Sequence, residues 1–156
     1  LIGKILIPYD GSKHSDRAVK QIIEFTKLLS KQPTVILLHV IPEIHLPASY
    51  DYGMRISYVK SAYEYRKEIY QELKMASLEM LSKKKDEFDA PKRSKVITEV
   101  ITGNIVKQIL EIAASENVDL VALGSAGLGG MSKLKALGSI SRRVSEMAKC
   151  PVLIVH

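Results

Sequence analysis

The stretch Gly124-Ser125-Ala126-Gly127-Leu128-Gly129-Gly130 is suited to holding an anion. Four of its seven residues are glycine, and a fifth, Gly138, stands directly before a helical pattern that opens on Ser139. Glycine reaches positive φ and lets a backbone come close to a ligand. The free N–H groups at a helix start, together with the positive end of its dipole, suit phosphate. Ser139 reads as the N-cap, with a hydroxyl to lend. The bland alternative is a flexible loop followed by an ordinary cap. Neither common nucleotide motif is present. Gly124-x4-Gly129 is followed by Gly130 where a Walker loop needs lysine, and Gly127-Leu-Gly129 meets Ser132 where the dinucleotide fingerprint needs glycine.

Two further segments end apolar runs. In Pro8-Tyr9-Asp10-Gly11-Ser12, Asp10 is either a turn residue serving loop N–H groups or a carboxylate facing a ribose hydroxyl or a metal. In His39-Val40-Ile41, Val40 either packs on a flat base or is plain core. Other residues point less clearly to chemistry. His14, His39, His45 and His156 show no metal-ligand spacing with each other or with Cys150. Cys150 reads as a small buried hydrophobe. Arg142 and Arg143, one turn into the last helix, read as a solvated face or as phosphate contacts. The six tyrosines from Tyr50 to Tyr70 read as core or interface. No Ser/His/Asp or Cys/His arrangement emerges.

The elements that position these segments alternate. Strand-length apolar runs occur at Lys4–Pro8, Val35–Val40, Val96–Ile101, Asp119–Leu123 and Pro151–Val155. Continuous apolar runs mark strands covered on both faces, and Thr98 and Glu99 put the third at an edge. Between them lie amphipathic patterns at Ser15–Ser30, about Arg55 to Lys85, Asn104–Glu116 and Ser139–Lys149. The long second helix takes its apolar face from Val59, Ala62, Tyr63, Ile69, Tyr70, Leu73, Ala76, Met80 and Leu81, and ends before Pro91. The order βαβαβαβαβ implies right-handed crossovers and a parallel sheet with helices on both faces. In such a sheet, ligands bind beyond the carboxyl ends of the strands. The connection from Ile41 to about Met54 is long, and long loops are often functional.

Composition sets outer bounds. A chain of 156 residues suits one domain, here residues 1–156, and needs no disulfide or metal to build a core. Hydrophobic residues at 46% and charged residues at 26% exclude a disordered chain. Mean hydropathy is +0.03, and no apolar run spans a bilayer, so no membrane partner is expected. The first residues, LIGKILIPYDGS, carry no secretory pattern, and the single cysteine excludes a disulfide within the chain; a cytoplasmic protein is expected. The net charge of +6 favours anionic ligands in a general way. Lys83, Lys84, Lys85, Lys92, Arg93 and Lys95 supply much of it, without interleaved aromatics, so they read as a solvated helix end and loop, and nucleic acid is not an expected partner.

Taken together, KILIPYDGS, VILLHVIPE, ITGNIVKQILEIAASENVDLVALGSAG and LGSISRRVSEMAKCPVLIVH resemble the universal stress protein family over nearly the whole chain. The resemblance implies a Rossmann-like α/β domain of the adenine nucleotide alpha hydrolase type. It implies a five-stranded parallel sheet of order 3-2-1-4-5 and a homodimer paired through the C-terminal strand. The ATP-binding branch carries Gly-x2-Gly-x9-Gly-Ser/Thr; here Gly124, Gly127, Gly138 and Ser139 match, with ten residues between Gly127 and Gly138. Carried over residue by residue, Pro8, Tyr9 and Asp10 would lie at the nucleotide, with Asp10 facing the ribose or a phosphate-bound Mg²⁺ or Mn²⁺. Val40 would border adenine. Leu123, Gly124, Ser125 and Gly127 would line ribose and phosphate, and Gly138, Ser139 and Ile140 would contact phosphate. The expectation is an ATP-binding stress-response sensor or adaptor with an unidentified protein partner. A slow ATPase or nucleotidyl-transfer enzyme and a nucleotide-free dimeric interaction protein are the alternatives.

Overall fold

A computed structural model describes residues 2–45, 62–89, 94–126 and 137–156. Strand β1 (Lys4–Pro8) leads to helix α1 (Lys13–Lys27), then β2 (Thr34–Ile41), α2 (Ala62–Asp89), β3 (Lys95–Thr102), α3 (Ile105–Ser115), β4 (Leu120–Gly124), α4 (Ser139–Met147) and β5 (Val152–Val155). The strands form one sheet of order β3-β2-β1-β4-β5, every pair parallel. The expected sheet and strand order are those observed, with β3 and β5 at the edges.

Alternation along the strands sorts side chains between two helical layers. Ile5, Ile7, Val35 and Leu37 join Val19 and Ile22 of α1 and Leu81 and Phe88 of α2 in one core. Leu6, Ile36, Leu38 and Val40 join Val106, Ile109 and Ala113 of α3 and Val144 of α4 in the other. Both faces of β1 are covered, which is why Ile5-Leu6-Ile7 reads as a continuous apolar run. At the amino ends of the central strands, Asp119 Oδ2 accepts the N–H groups of Gly3 (2.8 Å) and Lys4 (2.9 Å). These two bonds hold its carboxyl below the usual range and tie β1 to the start of β4.

The helix boundaries shift where caps decide them. Helix α1 starts at Lys13, ahead of the expected Ser15, because Ser12 Oγ accepts the Ser15 N–H at 3.1 Å. It ends at Lys27, so Leu29 falls outside it. Asn104 lies just outside α3 as its N-cap, accepting the Lys107 N–H at 3.0 Å.

Helix α2 runs to Asp89, beyond the expected Lys85, and only part of its expected apolar face, Met80 and Leu81, packs into the core. Ser77, Leu81 and Phe88 are buried, while Tyr63, Leu73 and Ala76 of the expected stripe are exposed. Residues 55–61 of that expected helix, Pro91, and the connection beyond residue 45 lie outside the described residues.

Candidate functional site

The order β3-β2-β1-β4-β5 places the reversal of winding between β1 and β4, where an open parallel sheet has its crevice. The loop after β1 is tightly specified. The Tyr9 N–H donates to the Leu38 carbonyl at 2.8 Å, extending the ladder one residue past Pro8. His39 Nδ1–H then donates to the Tyr9 carbonyl at 2.7 Å. Asp10 Oδ1 accepts the Ser12 N–H at 3.0 Å, closing an Asx turn. Gly11 sits at φ +79°, where a side chain would be strained, and a Cβ there would lie 3.1 Å from Met80 Sδ of α2.

The Tyr9 side chain points the other way, into a polar knot between α1 and α2. Its hydroxyl donates to Asp16 Oδ1 at 2.7 Å. Lys84 Nζ lies 2.7 Å from that same oxygen, 2.7 Å from Glu87 Oε1 and 5.3 Å from the centre of the Tyr9 ring. Burial, and then the bond to Asp16, push the Tyr9 phenol up to about 12. Burial works against ionisation of both partners. Hydrogen bonds from Lys84 and Tyr9 nevertheless hold the Asp16 carboxyl below its usual range, and those to Asp16 and Glu87 hold the Lys84 ammonium above its own. Lys84 is therefore a half-buried tie between elements, where the sequence suggests a solvated run.

The loop after β4 is closed at its base. The Ser125 N–H donates to the Val155 carbonyl and the Gly138 N–H to the Ser125 carbonyl, each at 2.8 Å. Ser141 Oγ donates to the Gly124 carbonyl, also at 2.8 Å. These bonds fix the start of α4 against the end of β4. Gly138 is the N-cap residue, with no side-chain cap bond. Ser139 is the first helical residue and exposed, so it is not the cap its sequence position suggests. The first N–H groups of α4, beginning at Ser139 and Ile140, have no acceptor within the helix. Ser125 is buried, and its hydroxyl lies 3.3 Å from His14 Nδ1. The Arg17 guanidinium donates to that nitrogen at 3.0 Å, so His14 is not free to take the Ser125 proton.

Pro8, Tyr9, Asp10, Val40, Leu123, Gly124 and Ile140 share the lining of a cavity of ≈ 90 Å³, with Leu38, Ile105 and Ile109 adding apolar surface. A groove of ≈ 320 Å³ adjoins it through Ile105 and Ile140, and includes Glu43, His45, Asn104 and Arg143. Ordinary ligand pockets measure about 300–1,000 Å³, so the small cavity falls below that range and the groove within it. Ser125, Gly138 and Ser139 do not line the cavity, and Gly127 lies outside the described residues.

Sequence reasoning missed His39 as the residue that fixes the Tyr9 carbonyl, while Arg143, read as a solvated face or a phosphate contact, lies in the groove wall. A histidine inside an otherwise apolar strand was the available signal for the first. Among the described residues, no three His, Cys, Asp or Glu side chains gather as a metal site. A divalent ion would rest on the Asp10 carboxylate and on ligand oxygens, an arrangement typical of Mg²⁺. Cys150 is only partly buried, against the second core, and burial pushes its thiol up.

The fold and the cavity define a doubly wound α/β protein with a crevice at its switch point. A profile of the universal stress protein family matches residues 2–156, and the chain belongs to that family. It is 32% identical over 156 residues to the universal stress protein YxiE of Bacillus subtilis, with both chains covered in full. Universal stress protein MJ0577 of Methanocaldococcus jannaschii is 31% identical over 156 residues, covering 97% of this chain and 93% of its own. Its solved structure superimposes with a TM-score of 0.81 over 99% of this chain and 95% of that one. A universal stress protein family member from Arabidopsis thaliana, solved with AMP bound, shares the fold at 17% identity, with a TM-score of 0.62 over 98% of this chain and 90% of that one.

Proposed function

We propose that this chain binds ATP in the crevice between β1 and β4, with Mg²⁺ or Mn²⁺ at Asp10, and acts as a nucleotide-dependent sensor or adaptor in a stress response. The observation that carries this reading is the apolar cavity of ≈ 90 Å³ between Val40, Leu123 and Ile140, set beside the start of α4, whose first N–H groups have no acceptor within the helix. A base fits the first and phosphates suit the second. Asp10, at the mouth of β1, would face the ribose or a phosphate-bound cation. Leu123, Gly124, Ser125 and Gly127 would lie along ribose and phosphate, and Gly138, Ser139 and Ile140 would receive the phosphates. A neighbour that shares the fold was solved with AMP bound, which agrees with a nucleotide as the class of ligand.

The working unit proposed is a cytoplasmic homodimer. Strand β5 is a sheet edge, and all four of its residues are partly exposed, so pairing with the same strand of a second copy would cover it.

Mass spectrometry of the supernatant released by heating the purified protein tests the ligand. ATP, in near-equal amount to the chain, is the expected result. A supernatant without nucleotide, from protein that also fails to bind added ATP, would leave the nucleotide-free interaction protein.

A further inference from the structure

We propose a second ligand site, for a small organic anion with an apolar or aromatic body, in the groove between the amino-terminal half of α2 and the carboxyl ends of β2 and β3. The groove measures ≈ 600 Å³ and shares no lining residue with the crevice cavity. Its floor is Ile41, Val100, Ile101 and Thr102. Its wall is a stripe of α2 residues, Tyr63, Arg66, Lys67, Tyr70 and Lys74, spaced three or four apart so that they share one helical face.

Among the described residues, three cations and no acid line this groove. The Arg66 Nε is buried and has no hydrogen-bond partner. Buried donors without acceptors are rare in native proteins because they forfeit solvation and gain nothing for it. A carboxylate, sulfonate or phosphate head would supply the missing acceptor and neutralise part of the local charge. The apolar floor and the Tyr63 and Tyr70 rings would take the body of the same molecule. Tyr70 is fixed for that role, since its hydroxyl accepts the Ile44 N–H at 2.6 Å.

Anilinonaphthalene sulfonate, an aromatic anion that fluoresces when bound, tests the site in titrations of the full chain with and without saturating ATP. The expected result is saturable binding of one probe per chain, unchanged by ATP. Arg66→Gln should weaken it tenfold or more, in line with loss of a charge-assisted bond. Uncharged phenylnaphthylamine should bind at least tenfold more weakly. Displacement by ATP, equal affinity in Arg66→Gln, or equal binding of the uncharged probe would overturn the proposal. Should Arg66→Gln fail to fold, as read by circular dichroism, the double variant of the exposed Lys67→Gln and Lys74→Gln decides. Weakened binding supports the site, and unchanged affinity overturns it.

Discussion

A Cβ placed on Gly124 would lie 2.5 Å from the His14 carbonyl carbon and 2.6 Å from its oxygen. The end of β4 and the first turn of α1 are in backbone contact there, and only glycine leaves room. Backbone cannot swing aside as a side chain tip can. Gly124→Ala should therefore cost at least the ~1–3 kcal/mol typical of overpacking. Thermal melting is expected several degrees lower, with nucleotide affinity reduced as α1 and β4 separate. An unchanged Tm would show that the contact relaxes freely.

Asp16 ties Tyr9 to Lys84, and its removal strands a buried phenol. Asp16→Ala should cost about 1–3 kcal/mol through that unpaired hydroxyl. The pH dependence has two limbs. Burial and then the Asp16 bond raise the Tyr9 phenol from 10.0 to about 12, so its contribution is complete below 10.0 and is lost as pH rises through about 12. The Asp16 carboxyl is lowered from 3.8 because hydrogen bonds from Lys84 and Tyr9 outweigh burial, so its contribution is present above 3.8 and is lost as pH falls through its folded value. Melting temperatures across pH should show both limbs, and Asp16→Asn should flatten the acid one. Identical acid limbs in the two proteins would remove Asp16 from the account.

Much of this was legible because the strands are buried on both faces. Runs such as Ile5-Leu6-Ile7 and Val35-Ile36-Leu37-Leu38 have no polar interruption, and their alternation with helices leads to the parallel sheet. The turn, one of the two readings open for Asp10, is present in its bond to the Ser12 N–H, whereas the cap at Ser12 went unread. The inward face of α2 was legible only in part, since Leu81 is buried as expected, but Ser77 and Lys84 also face inward while Leu73 and Ala76 of the expected stripe are exposed. Hydrophobic periodicity assigns such positions the wrong way, because a paired lysine or a serine bonded to the preceding turn is buried at little cost. The contacts of Gly124 with His14 and of His39 with Tyr9 join residues distant in sequence, which no local pattern reports.

Asp10 already accepts the Ser12 N–H, and an asparagine oxygen could do the same. Asp10→Asn should therefore leave the fold nearly unchanged. What it removes is the negative charge, and a carboxylate is the stronger ligand for a hard divalent ion. In paired ATP titrations with Mg²⁺ and with EDTA, the wild type should lose affinity in EDTA and Asp10→Asn should show little difference. Equal metal dependence in both proteins would confine Asp10 to the turn or the ribose.

Strand β5 offers a clean site for testing assembly. Val152 and Leu153 pack on the two cores, whereas Ile154 is not among the side chains packed on either. Ile154→Lys should shift the protein from dimer to monomer in light scattering at tens of micromolar, with little change in circular dichroism. A monomer mass for the unmodified protein would count against pairing through this strand.

Calorimetric titration of ATP into nucleotide-free protein, run beside Ser139→Ala, bears most directly on the crevice. Ser139 is exposed at the start of α4, so its hydroxyl can be removed without disturbing the fold. A hydrogen bond to a charged group is worth about 1.5–3 kcal/mol, which corresponds to a tenfold or greater loss of affinity. The expected result is one ATP bound per wild-type chain and at least tenfold weaker binding in the variant. No binding to the wild type, or equal affinity in the two proteins, would contradict a nucleotide held between β1, β4 and the start of α4.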